Sequence, residues 1–208
     1  MGINLGGNFQ GMGQQGGNMG ATPILNLQKN DILDLTKRNP GLKKVTLGAG
    51  WDIAMGGSDF DLDIAAFLLD GNNKFTDVSN VIFFNNKVGR GITLGGDNRT
   101  GAGSGDDEVI SINLDEIDPS RQKIMFIVTI HGAAAKRQTF GMVNNSYVRL
   151  LDDANGAKEI CRFNLKEDGS TATSVVFAEL YRAGTEWQFK ALGEGKIADL
   201  NGILAAYQ

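Results

Sequence analysis

An all-β fold, a two-sheet antiparallel β-sandwich of about ten strands with a short C-terminal helix, is what this 208-residue chain predicts. Three observations carry it. Ten short apolar or alternating stretches follow one another from Ile24 onward. Turn-forming clusters separate them at hairpin-sized intervals. The helical stretches that a parallel α/β sheet needs between its strands are missing.

Taken in order, the first six strands fall on ILNLQ (24–28), KKVTLGAGW (43–51), FDLDIAAFLLD (60–70), NVIFFN (80–85), DEVISINL (107–114) and KIMFIVTIH (123–131). GMVNNSYVRLLDD (141–153), EICRFNL (159–165), TSVVFAELYRAG (173–184) and TEWQFKALG (185–193) complete the set. The breakers NPG (39–41), DGNN (70–73), DANG (153–156) and EDGS (167–170) stand between them. In KIADLNGILAAYQ (196–208), Ile197, Leu200, Ile203 and Leu204 share one helical face, which predicts the closing helix. A turn of helix is also expected near LDEIDPS (114–120).

Residues 1–22 hold 8 of the 29 glycines and almost nothing to bury, so they read as a glycine-rich N-terminal arm ahead of a sandwich at 23–208. A net charge of −4 argues against nucleic acid as a partner. No apolar run approaches the ~20 residues that span a bilayer, and no secretory signal is visible. Cys161 is alone, which excludes an internal disulfide and suits a reducing cytoplasm.

Two acidic segments stand out. In SDFDLDIAAF, Asp59, Asp61 and Asp63 are two residues apart, so a strand sends all three carboxylates to one side and Phe60, Leu62 and Ile64 to the other. The loop GDNRTGAGSGDDEVI (96–110) adds carboxylates at Asp97, Asp106, Asp107 and Glu108, an amide oxygen at Asn98 and a hydroxyl at Thr100. Seven carboxylates repel one another unless a cation intervenes. Calcium takes six to eight oxygens from such groups, and seven acids suit two ions. The twelve-residue span from Asp97 to Glu108 is not an EF-hand, because Arg99, Gly101 and Gly105 lack the needed oxygens and Ala102 replaces the central glycine. Nor is it a phosphate cradle, since no G-x-x-x-x-G-K-[ST] occurs and the acids would repel phosphate. Zinc is disfavoured, because His131 and Cys161 are the only nitrogen and sulfur candidates and neither has a partner of its kind.

At these residues the sequence resembles the TerD family of bacterial tellurite-resistance and general stress proteins. LGAGWD, DFDLDIAAFLLD, GDNRTGAGSGDDEVI, IMFIVTIHGA, FGMVNNSYVRL and VVFAELYR…EWQFKALG occur in the family's order over roughly residues 24–195. The resemblance implies a calcium-binding β-sandwich with two ions at one end. By position it puts the metal motifs on Asp59, Asp61, Asp63, Asp97, Asn98, Thr100, Asp106, Asp107 and Glu108. It also implies a part in resisting chemical stress with other stress-resistance proteins near the membrane, and no established reaction. Ala102 and Ser104 depart from the acids that members often carry, which implies weaker affinity, and Gly132 follows His131 where many have Asp.

The first functional expectation is therefore a cytoplasmic, non-enzymatic, calcium-dependent binding module. An alternative is a self-assembling homo-oligomer or filament, with the arm making the subunit contacts through Ile3, Leu5 and Phe9. Metal-assisted hydrolysis ranks last, because calcium acidifies water far less than zinc and no nucleophile motif accompanies the acids. His131 reads as a structural histidine, Trp51 and Trp187 as core or rim aromatics, and one of the adjacent Phe83 and Phe84 must face outward.

Overall fold

Thirteen strands, rather than about ten, build the two sheets of this chain in the computed structural model, which describes residues 24–52, 60–97, 105–164 and 171–208. In chain order they are β1 (Leu25–Asn26), β2 (Ile32–Asp34), β3 (Lys44–Asp52), β4 (Leu62–Leu69), β5 (Val81–Ile82), β6 (Val88–Gly89) and β7 (Ile92–Asp97), then β8 (Glu108–Asn113), β9 (Lys123–Ile130), β10 (Asn144–Asp152), β11 (Lys158–Asn164), β12 (Ser174–Ala183) and β13 (Glu186–Lys196). The first sheet runs β1-β11-β10-β3-β8-β7-β6 and the second β2-β13-β12-β9-β4-β5. Every pairing is antiparallel except β1 on β11. The expected sandwich is present, with one parallel edge.

All ten expected strands occur, and β2, β6 and β7 are additional. The expected NVIFFN strand shrinks to Val81–Ile82 because the chain turns back at once. A bridge joins Phe83 to Asn86, and the Asn86 amide donates to the Val81 carbonyl at 2.7 Å. Residues 114–120 form turns, not the expected helical turn: Asp118 Oδ1 takes the Ser120 N–H at 2.9 Å, and Pro119 has no N–H to give.

Between the sheets lies the main core, fed by alternate residues of each strand. From β4 it receives Leu62, Ile64, Ala66 and Leu68, and from β9 Ile124, Phe126, Val128 and Ile130. The other side of these strands is apolar too. Ala65, Phe67, Leu69, Met125 and Ile127 make a second cluster on the outer face of the second sheet. This explains why IAAFLL (64–69) is a continuous apolar run rather than an alternating one.

Covering that outer face is α3 (Leu200–Leu204), following two short helices, α1 (Leu35–Arg38) and α2 (Ala133–Lys136). The Asp199 carboxylate caps α3 by accepting the Gly202 N–H at 2.8 Å. Ile203 is buried, and Leu200, Leu204 and Tyr207 pack beside it, with the Tyr207 ring edge-on to Phe67 at 6.0 Å. Ile197 corrects the expected four-residue face: it precedes the helix and is 82% exposed.

Candidate metal centre

Two acidic strand ends meet at one end of the sandwich. Alternation through residues 60–64, which lead into β4, puts Phe60, Leu62 and Ile64 in the core, as the sequence predicts, and leaves Asp61 and Asp63 on the opposite side of the chain. His131, just after β9, holds this segment twice. Its N–H donates to the Asp61 carbonyl at 2.7 Å, and its Nδ1 stands 3.4 Å from Asp63 Oδ2. The ring of the half-exposed Phe84 lies edge-on to the imidazole, with centroids 6.5 Å apart.

From the first sheet come Asp107 and Glu108. Ala49–Glu108 is the last pair of β3 with β8, so Trp51 lies beyond the ladder, and Oδ2 of the buried Asp107 takes the Trp51 N–H at 2.9 Å. Glu108 shares the inward side of β8 with Ile110 and Ile112 and is 3% exposed. Its Oε2 crosses between the sheets to accept the Ile64 N–H at 2.7 Å, on the stretch of β4 that short β5 leaves uncovered. Backbone amides thus orient two buried carboxylates, which offsets part of their desolvation.

Asp97 closes β7 directly opposite Glu108, so the ladder brings the two ends of the glycine-rich loop together. Asp59, Asn98 and Thr100 lie outside the described residues. Among the described residues, no three Asp, Glu, His or Cys groups converge on one point. The donors that the sequence offers suit a hard ion: they are carboxylates, an amide oxygen and a hydroxyl. Among the described residues, the hydroxyl of Ser146, buried on β10 beside the end of β3, and the indole N–H of buried Trp51 have no hydrogen-bond partner.

Asp106 goes elsewhere. Its carboxylate lies on the outer face of the first sheet, with Arg149 Nε at 2.8 Å from Oδ1 and 3.1 Å from Oδ2. The Tyr147 hydroxyl reaches Oδ1 at 3.2 Å and the Gly105 carbonyl at 3.1 Å. Arg149 also bonds Glu159, Glu159 bonds Arg162, and the Arg162 guanidinium stacks on the Tyr147 ring at 4.1 Å. Desolvation raises the Tyr147 hydroxyl pKa, and the hydrogen bonds from Arg162 hold Glu159 below the usual carboxylate range. Asp52, at the end of β3, is engaged by the Asn145 side chain at 2.5 Å.

Sequence reading missed this ring and its floor. Tyr147 pairs with Gly50 and Arg149 with Gly48 across β10 and β3. A Cβ on Gly48 would collide with the Asp106 carboxylate, and one on Gly50 with the Tyr147 hydroxyl. The available signal was the matched spacing of G-x-G in LGAGW and Y-x-R in SYVRL, which takes on meaning only once the register is known.

The two-sheet sandwich defines the class of β-protein, and comparisons with known proteins give the family. The TerD domain profile matches residues 24–207, and the chain belongs to that family. It is 45% identical to the tellurium resistance protein TerD of Serratia marcescens over 186 residues, 88% of this chain and 96% of that one. It is 43% identical to general stress protein 16U of Bacillus subtilis (strain 168) over 187 residues, again 88% and 96% of the two chains. Its fold matches the crystal structure of a homologue of telluride resistance protein (TerD) from Streptomyces coelicolor A3(2), with a TM-score of 0.63 at 24% identity, covering 79% of this chain and 96% of that one. No helix among the described residues is long and apolar enough to cross a membrane.

Proposed function

We propose that this member of a tellurium-resistance and general-stress family is a non-enzymatic, calcium-dependent binding module. Two calcium ions occupy the acidic end of its sandwich. The ligands are drawn from Asp59, Asp61, Asp63, Asp97, Asn98, Thr100, Asp107 and Glu108. One observation supports this most: Asp107 and Glu108, both buried, are oriented by the Trp51 and Ile64 amides, at the end where Asp61 precedes β4 and Asp63 lies at its start. Bound calcium supplies positive charge between mutually repelling acids and fixes the loop that carries them. The shaped end then docks other stress-resistance proteins, and the module works in the cytoplasm.

Calorimetric titration of metal-stripped protein with calcium, then magnesium, tests the reading. Calcium uptake of two ions per chain is expected, together with a melting midpoint that rises with calcium and falls with chelator. Saturation should add ~2.7 kcal/mol of stability at a hundredfold excess over Kd. Identical midpoints in calcium and chelator would overturn it.

A second reading has one observation in its favour: the TerD domain match begins at residue 24, after the glycine-rich arm. In this reading the arm joins subunits into a homo-oligomer or filament. Deleting residues 2–22 and comparing particle mass in solution decides it, and an unchanged mass dismisses it.

A further inference from the structure

We infer that Asp106 is a positioning residue for the acidic end rather than one of its ligands: Arg149 and Tyr147 pin it to the outer face of the first sheet, which sets the backbone that aims Asp107 and Glu108 inward. The inference rests on the calcium reading above and deepens it.

The ring Asp106–Arg149–Glu159–Arg162–Tyr147 closes on itself. Two guanidinium groups balance two carboxylates, so the ring is electrically complete without a metal ion. Both Asp106 oxygens accept from Arg149, and the side chain is 7% exposed. A divalent cation brought to those oxygens would face the Arg149 charge at hydrogen-bond range. The two residues that follow turn the other way, and their carboxylates accept the backbone N–H groups of Trp51 and Ile64.

Position follows from this seating. Tyr147 fixes the Gly105 carbonyl, Arg149 fixes Asp106, and the Asp107 N–H donates to the Ala49 carbonyl at 2.8 Å. Three successive residues are tied to β3 and β10 immediately before β8 begins. Glycine at 48 is what leaves room for the Asp106 carboxylate against the sheet. Residues that orient a metal's ligands in this way typically change affinity about 10–100-fold when lost, without changing which groups ligate.

The test uses the full chain and four variants, Asp106→Asn, Arg149→Gln, Gly48→Ala and the double Asp106→Asn/Arg149→Gln. Calcium stoichiometry and affinity are measured by calorimetry, and melting midpoints in chelator report stability without the ion. Each single variant should keep the wild-type number of ions and weaken calcium affinity about tenfold or more. The double variant should be little weaker than either single, because both remove one contact. Gly48→Ala displaces Asp106 without altering any acid, so it and Arg149→Gln carry the test if Asp106→Asn does not fold. Loss of an ion in Asp106→Asn, with unchanged or tighter binding in Arg149→Gln, would make Asp106 a ligand and overturn the inference alone. Unchanged affinity with a lower chelator midpoint would reduce the ring to a structural prop. Absence of calcium uptake by the wild-type chain would defeat the calcium reading itself, and the inference with it.

Discussion

Glu108 and Ile64 tie the two sheets together, the carboxylate of one accepting the backbone N–H of the other at 2.7 Å where β5 no longer covers β4. A buried acid thereby does the work of a missing strand. Removing it should expose the cost. Glu108→Ala leaves the Ile64 amide buried and unsatisfied, and is expected to cost about 1–3 kcal/mol in chelator. Glu108→Gln keeps an acceptor oxygen and should lose less. Urea unfolding of the three proteins in chelator checks the order, and equal losses would show that the bridge contributes nothing.

Much of this fold is legible in the sequence because two-residue periodicity is a direct consequence of strand geometry. Phe60, Leu62 and Ile64 enter the core as alternation demands. The part that is not legible depends on register. Nothing local distinguishes Asp106 from Asp107, yet one turns to Arg149 on the outer face and the other to Trp51 N–H. Strands of two or three residues, such as β2 and β6, are too short for a period to show. Ile197 keeps helical spacing without being in a helix, because the cap at Asp199 sets where α3 begins.

Cys161 gives a second expectation. Burial pushes its thiol from 9.0 up to about 12. A raised pKa means that the folded state holds the proton more tightly. The contribution is intact below 9.0 and is lost as pH rises from there toward about 12. Cys161→Ala should therefore show a shallower alkaline decline in unfolding midpoint than the wild type. In the native wild type, a thiol reagent should react no faster than the chain unfolds. Rapid labelling of folded protein would contradict this burial.

On the acid side, the pKa of Glu159 is lowered chiefly by its hydrogen bonds from Arg162, and also by Arg149, against desolvation. A depressed pKa gives stability that is present above the ordinary value of 4.5 and lost as pH falls through the folded value. Glu159→Gln should be less stable than wild type near neutrality, and the difference should shrink as pH drops below 4.5. A gap independent of pH would mean that the charge on Glu159 is not what holds the two arginines.

The C-terminal helix separates burial from mere hydrophobicity. Ile203 is 5% exposed and sits over the outer face of the second sheet, whereas Ile197 is 82% exposed. Ile203→Ala removes methylenes from a packed cluster and should cost about 2 kcal/mol or more. Ile197→Ser touches no packed surface and should stay within about 0.5 kcal/mol of wild type. Asp199→Ala strips the cap from the Gly202 N–H and should cost about 1 kcal/mol. Because α3 shields Phe67 and Ile127, the Ile203 and Asp199 variants should also bind more of a hydrophobic dye than Ile197→Ser does. Chemical denaturation with dye fluorescence measures both effects. Equal costs at positions 197 and 203 would show that the helix does not close that face in solution.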